Sequence, residues 1–327
     1  MHIHRLIKSN KFMISFSLIV PIFNEENYIL EFLNCLESQT ISPDEVIFID
    51  GNSFDNTVNM INSYGMKNVK ILQNEFRTVP YALNLAINHC KSDVIVRLDA
   101  HTQYAEDYLE RIVEKFLAYP EISVVGGPTN VAAKSLFQKC VGDVITCQFG
   151  LGGGKVHDVH YSGPAESVTF GAWRKEIFET VGLFDVRLKR NQDDEFHLRC
   201  NLAGVQVFQF SDIKLYYFPR SNIRGLFLQY FEYGLYKPLV FKINKMRMTY
   251  RQYIPVLFLS YFVVLMPLLM LFQNWIFFLP LLMYVIALLI YSYKKKSNLF
   301  YFAIITLCIH LSYAIGLSMG YYNNYKK

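Results

Sequence analysis

The sequence predicts an α/β fold built on a parallel sheet, followed by C-terminal transmembrane helices. Three observations carry this reading. Strand-like and helix-like segments alternate through the first 125 residues, polar clusters stand where the strands end, and residues 252–293 and 297–325 contain no Asp, Glu, Lys or Arg. Alternating strands and helices build a parallel sheet, and charge-free stretches of that length suit membrane spans.

The first strand is the β-rich apolar run 16–22, which closes on Pro21-Ile22-Phe23-Asn24. Residues 26–38 place Ile29, Leu30, Leu33 and Leu36 at helical spacing. A second buried strand, 45–49, is stopped by Asp50-Gly51-Asn52-Ser53; 55–62 is helical and 69–72 is a third strand. Residues 80–89 form a helix with Pro80 suited to its first turn. The fourth strand, 94–98, runs into Asp99, then a helix spans 104–118 and a fifth strand 122–125. Residues 128–165 are irregular and glycine-rich, the pattern of a loop over a site. Residues 166–171 are strand-like, 190–202 is a polar segment running into a helix, and 205–210 and 213–218 are further strands.

Parallel α/β sheets bind ligands at the carboxyl ends of their strands. The clusters Asn24-Glu25, Asp50-Gly51-Asn52-Ser53 and Asp99-Ala100-His101 all fall there. They mark one candidate site.

Hydrophobic residues make up 52% of the 327-residue chain and charged ones 18%, more apolar than a purely soluble protein. The excess lies in three segments, 254–272, 275–293 and 299–320, each near the roughly 20 residues needed to span a bilayer. Gln273-Asn274 would turn the first into the second. The last acidic residue is Glu232; Lys237, Lys242, Lys245, Arg247 and Arg251 follow it, and Lys294-Lys295-Lys296 separates the last two segments. These cations suit a cytoplasmic face beside anionic lipid, and no nucleic-acid module accompanies them. The expected organisation is a catalytic domain over 14–220, a basic juxtamembrane segment over 221–251 and about three spans over 252–322. Six cysteines without a CxxC pair point to a reducing compartment. The short run 14–22 reads as a strand, not a signal peptide.

Asp50 ends a strand before Gly51, where a carboxylate can accept from a nucleotide base or ribose, or simply shape a turn. Asp99 and His101, two apart in a loop, can both ligate a divalent cation or form a local hydrogen-bonded pair. Asp193-Asp194-Glu195 places three acids in a row, which suits a general base or the start of a helix. The glycine run before Lys155 fails the P-loop pattern, and no GxGxxG follows the first strand.

Taken in order, these motifs resemble family 2 glycosyltransferases. Ser17-Leu18-Ile19-Val20-Pro21-Ile22-Phe23-Asn24-Glu25-Glu26 is similar to their opening strand, and Ile49-Asp50-Gly51-Asn52-Ser53 to their second-strand signature. Val96-Arg97-Leu98-Asp99-Ala100-His101 stands in the place of the metal-binding DxD, with His101 replacing the second Asp. Asn191-Gln192-Asp193-Asp194-Glu195-Phe196-His197-Leu198-Arg199 stands in the place of the ED motif. The DAH variant, the string from Arg190 to Glu195, Gly171-Ala172-Trp173-Arg174 and the apolar C-terminus are similar to the succinoglycan-type glucosyltransferases.

The resemblance implies a GT-A-type nucleotide-sugar-binding domain and an inverting single displacement. It implies Asp193 as the base, chosen over its neighbour Asp194 by the register to Arg199, and Asp99 with His101 as ligands of Mg2+ or Mn2+. Pro21, Asn24, Glu25, Asp50, Ser53, Arg77, Arg97 and Asp99 would line the donor, a UDP-sugar in the first instance. Arg199 would serve the acceptor, as would Trp173, which otherwise reads as a core side chain. The acceptor would be a lipid-linked saccharide, and the enzyme a multi-pass protein of the plasma (inner) membrane with its catalytic domain in the cytoplasm. Two alternatives stand beside this: an enzyme of the same fold that glycosylates polyprenyl phosphate itself, and a non-catalytic membrane scaffold.

Overall fold

A computed structural model describes residues 14–151, 153–247, 250–272 and 275–325. The turn expected at Gln273-Asn274 lies outside the described residues, as does Gly152. The chain divides into two compact units, one comprising residues up to 130 with 158–217, the other 131–157 with 218 onward.

The first unit is built on an eight-stranded sheet in the order β3-β2-β1-β4-β9-β6-β10-β8. Its strands are β1 (Phe16–Ile22), β2 (Glu45–Asp50), β3 (Val69–Gln73), β4 (Val94–Arg97), β6 (Val124–Gly127), β8 (Gly163–Ala165), β9 (Thr169–Arg174) and β10 (Val207–Gln209). A smaller sheet, β5 (Gln103–Tyr104), β11 (Leu215–Tyr217) and β7 (Thr129–Val131), stands beside it. The helices are α1 (Ile29–Glu37), α2 (Thr57–Tyr64), α3 (Val79–His89), α4 (Tyr108–Ala118), a short α5 (Ile177–Thr180) and α6 (Gln192–Leu202).

Strands β1 and β2 are apolar at nearly every position because both faces are covered. Leu18, Val20, Val46 and Phe48 join one core with Phe32 and Leu33 of α1 and Ile112 and Phe116 of α4. Ile19, Ile47, Ile49 and Ile95 join a second core with Leu83 and Ala86 of α3 and Phe196 of α6. Side chains alternate along each strand, so consecutive residues feed opposite cores.

Three sequence expectations are corrected here. The sheet is mixed: β9 runs antiparallel to both β4 and β6, a direction that apolar patterning does not encode. Tyr104 does not begin a helix, because it pairs with Leu215 in the small sheet. Residues 128–165 are not simply a loop. They contain the helix Leu136–Ile145, whose Ser135 hydroxyl accepts from the Gln138 N–H and whose Val141 and Val144 are buried.

In the second unit, the helix Ile223–Ile243 packs along Leu299–Tyr325. Among the described residues one helix, Leu299–Asn324, is long and apolar enough to cross a membrane. The apolar helices Gln252–Leu268 and Leu279–Lys294 are shorter, and at 1.5 Å rise the second covers about 24 Å of a hydrocarbon core about 30 Å thick. The first contains a π-type segment at Tyr261–Leu265 and continues as the α-helix Met266–Phe272.

A Cβ on Gly316 would lie 2.0 Å from the Phe231 carbonyl oxygen, and one on Gly320 2.2 Å from that of Leu235. Close backbone approach therefore requires glycine at this helix pair. Gly316→Ala should cost about 1–3 kcal/mol through forced separation of the helices, read as a lowered melting temperature in detergent micelles. An unchanged melting curve would show that the helices separate freely.

Candidate active site

Strand β1 pairs with β2 on one edge and β4 on the other, all parallel. The chain winds outward through β2 and β3, then returns to the opposite side at β4. The crevice at the carboxyl ends of β1 and β4 is therefore the switch point at which α/β sheets bind ligands.

The loops after β1 and β2 are laced together. Asn24, in the left-handed region at φ 55°, donates its backbone N–H to the Ser53 hydroxyl at 2.9 Å and accepts from Phe54 N–H through its own Oδ1 at 3.0 Å. The Glu25 N–H donates to Thr57 Oγ1 at 2.7 Å, the Glu26 N–H donates to Asp55 Oδ2 at 3.1 Å, and the Asn56 N–H donates to Glu26 Oε2 at 3.0 Å across the same gap. Asp50 is buried at the end of β2, its carboxylate accepting from the Ser53 N–H at 3.0 Å. Pro21 lies opposite Ile49. Arg77 is exposed in the loop after β3 with φ 55°, and that loop is tied to β2 by the Asn74 N–H on the Asp50 carbonyl.

At the end of β4, the Asp99 N–H donates to the Tyr104 hydroxyl at 2.7 Å. The Nδ1 atom of His101 lies 2.8 Å from Asp99 Oδ1 and 3.4 Å from Glu25 Oε1. Burial alone would lower the imidazole pKa, but the hydrogen bonds to the two carboxylates outweigh it and push the pKa up to about 10. Burial likewise opposes ionisation of Asp99, yet its hydrogen bond with His101 holds its pKa below the usual range. The expected donor and metal residues Glu25, Asp99 and His101 thus meet across the switch point.

Helix α6 begins after Asn191, whose φ of 61° turns the chain sharply into it. Arg97, buried at the last position of β4, donates through Nη1 to Asp193 Oδ1. Its guanidinium sits over the ring of Phe170, 5.4 Å from the centroid, and Phe170 itself has φ 59°. A bulky residue in that region stores about 1–3 kcal/mol of strain. Asp194 follows on the exposed side of the same turn.

Two expected acceptor residues are not at the site. Trp173 is fully buried, packed edge-on against Phe178, Phe184 and Phe196; its place in β9 points its indole into the second core. Arg199 forms a two-point ion pair with the fully buried Glu195 at 2.7 and 2.9 Å, and its remaining N–H groups reach the carbonyls of Val181 and Leu183, both at 2.8 Å. Four of its five N–H donors are spent on the fold. Sequence reasoning also passed over Tyr104, Phe170 and His197. His197 is buried one turn along from Asp193, with its Nδ1 2.8 Å from Ser167 Oγ. Burial lowers its pKa.

Among the described residues no group of three or more His, Cys, Asp or Glu side chains could by itself hold a metal ion. Asp99 offers a carboxylate oxygen to a cation that takes its other ligands from phosphate and water, and His101, ion-paired to Asp99 in the free protein, would have to give up its proton to ligate one.

The profile of Glycosyl transferase family 2 matches residues 17–179. The chain is 30% identical over 243 residues to the Succinoglycan biosynthesis protein ExoA of Rhizobium meliloti (strain 1021), covering 73% of each. It is 28% identical over 237 residues to a dolichyl N-acetyl-alpha-D-glucosaminyl phosphate 3-beta-D-2,3-diacetamido-2,3-dideoxy-beta-D-glucuronosyltransferase of Methanococcus voltae, covering 69% of this chain and 74% of that one. Its fold is similar to that of the mannosyltransferase PcManGT of Pyrobaculum calidifontis, solved with GDP-Man and Mn2+, at TM-score 0.64 and 16% identity, covering 94% of this chain and 92% of that one.

The Glu195–Arg199 pair generates a test of its own. Breaking a buried pair by removing one partner costs about 3–5 kcal/mol. Arg199→Met should therefore lower the melting temperature steeply and leave the acceptor KM of the surviving folded enzyme unchanged. A normal melting temperature with a raised acceptor KM would return Arg199 to the acceptor site.

Proposed function

This chain belongs to glycosyl transferase family 2, and from that membership we propose that it moves a sugar, with inversion, from a nucleotide-sugar donor to a lipid-linked saccharide acceptor in cell-surface or exopolysaccharide synthesis. The observation that carries the proposal is the meeting of Asp99, His101 and Glu25 at the switch point, with Asp193 tied to the same strand end through Arg97. The donor would be a UDP-sugar in the first instance. The name of the Methanococcus voltae relative specifies a lipid-phosphate-linked sugar as acceptor, and we carry that acceptor class to this chain ahead of free polyprenyl phosphate or a scaffold role. The helix Leu299–Asn324 would attach the enzyme to the plasma membrane, with the catalytic unit on the cytoplasmic side, where nucleotide sugars are expected.

In the proposed reaction, the acceptor hydroxyl oxygen attacks the anomeric carbon from the face opposite the diphosphate. Its proton passes to Asp193. The bond between the anomeric carbon and the phosphate oxygen breaks, and the electron pair leaves with the nucleoside diphosphate. Mg2+ or Mn2+, held by Asp99 and His101, would supply positive charge against the diphosphate. Asp50 accepts one backbone N–H in the free protein and retains lone pairs for the ribose or base. Asn24, Glu25 and Ser53 hold the loops that flank that nucleotide. Arg77 is the exposed cation of the neighbouring loop, available to the donor.

The test is a donor screen with purified protein, Mn2+ and a membrane lipid extract, read as nucleoside diphosphate release. EDTA should abolish transfer, and Mn2+ or Mg2+ should restore it. Asp193→Asn should lose about 100- to 10,000-fold in kcat with donor affinity nearly unchanged, while Asp50→Ala should weaken donor binding. Normal turnover in both Asp193→Asn and Asp194→Asn would remove the acid run from the chemistry, and full activity in EDTA would remove the metal.

A further inference from the structure

We propose that Arg97 is the positioning residue of the acceptor base, holding Oδ1 of Asp193 so that Oδ2 faces the acceptor hydroxyl. The inference deepens the reading of Asp193 as the base and rests on it.

Two arginine–carboxylate pairs anchor the same helix, α6, and they differ in kind. The Glu195–Arg199 pair is closed: the carboxylate is fully buried, both of its oxygens are taken by one guanidinium, and that guanidinium also donates to two backbone carbonyls. Such a pair locks a fold. The Arg97–Asp193 pair is open. Arg97 uses Nη1 on Asp193 Oδ1 alone, while its buried Nε finds no partner among the described residues. Asp193 Oδ2 receives only a 3.5 Å approach from the Gln192 amide among the described residues.

Exposure separates the two partners. The Arg97 side chain is 6% exposed and that of Asp193 27%. The arginine cannot reach solvent to discharge its charge, so the ion pair is its compensation. The aspartate can be approached from outside the crevice. The result is a carboxylate with one oxygen anchored by Arg97 and the other left, among the described residues, with only a long contact.

The anchor also sets a distance. Arg97 lies two residues before Asp99, on the same strand end. The residue proposed to hold the donor's cation and the residue that holds the base therefore move together with β4. Phe170, in a strained backbone conformation, floors the guanidinium and limits its travel. A base must lie about 2.6–3.2 Å from the oxygen whose proton it takes, and a misplacement of about 1 Å can cost about 100-fold in rate. Free rotation of the Asp193 carboxylate would introduce a misplacement of that size.

The test is a double-mutant cycle on the full chain in detergent: Arg97→Met, Arg97→Lys, Asp193→Asn and the Arg97→Met/Asp193→Asn pair. For each, kcat, acceptor KM, melting temperature and donor affinity by calorimetry are measured. Arg97→Met should lower kcat by about 10- to 100-fold with donor affinity within about two-fold of wild type. Arg97→Lys should recover part of that loss. The double variant should be no slower than Asp193→Asn alone, because a missing base cannot be misplaced. Two results overturn the inference: donor affinity falling ten-fold with the two losses multiplying, which makes Arg97 a diphosphate contact, or normal kcat in Arg97→Met. If Arg97→Met does not fold, Arg97→Lys decides, since a kcat loss at unchanged donor affinity supports positioning and any other pattern rejects it. Near-normal kcat in Asp193→Asn is a separate failure, that of the base assignment itself.

Discussion

The site depends on one constraint, the pairing of β1 along both of its edges. Leu18 pairs with Val46 on one side and with Val96 on the other, and Ile19 faces Ile47 and Arg97. A one-residue slip in either ladder would move every side chain of β1 to the opposite core. Because β1 is buried on both faces, with Leu18, Ile19 and Val20 fully inaccessible, such a slip would disrupt packing above and below the sheet at once. The register therefore places Asn24 and Glu25 beside the ends of β2 and β4. No contact within the loops themselves could achieve this.

Strain at the strand ends is the local cost of that convergence. Asn24, Asn52, Arg77, Phe170 and Asn191 all have positive φ and all stand at the ends of elements that point to the crevice. Asn tolerates this region because its short side chain can bond to nearby backbone; Asn24 does so with the Phe54 N–H. Arg77 and Phe170 have no such relief. For Phe170 the sheet sets the position: β9 pairs with both β4 and β6, and its register with β6 shifts between Val125 and Gly127.

Much of this was legible before any coordinates. Strands β1, β2 and β4 are largely apolar runs closed by polar residues, and local sequence decides both features. The motifs at Asp50, Asp99 and Asp193 were legible for the same reason. What was not legible is long-range. The reversed direction of β9 leaves no mark in its composition. Trp173 sits beside site residues in the chain, yet its alternation within β9 sends it into a core of three phenylalanines. Arg199 follows the acid run at helical spacing, and spacing alone cannot say whether its partner is a substrate or Glu195. Tyr104 carried the opposite error: a helical-looking position became a strand residue whose hydroxyl holds the Asp99 N–H.

The acid run of α6 shows how one sequence feature is divided into separate tasks. Three adjacent carboxylates at a helix start are favoured by the helix dipole and disfavoured by one another. The fold relieves the repulsion by sending each in a different direction. Glu195 turns inward to Arg199, Asp194 turns to the exposed side, and Asp193 lies between them with Arg97 on one oxygen. Asp193 combines a buried counter-charge with a partly exposed side chain. Solvent can compete with the substrate for Asp194, and Glu195 has no oxygen left to offer. The choice of Asp193 as the proposed base therefore rests on how the two arginines distribute themselves, one spending four of its five N–H donors on the fold and the other bonding a single oxygen of its partner.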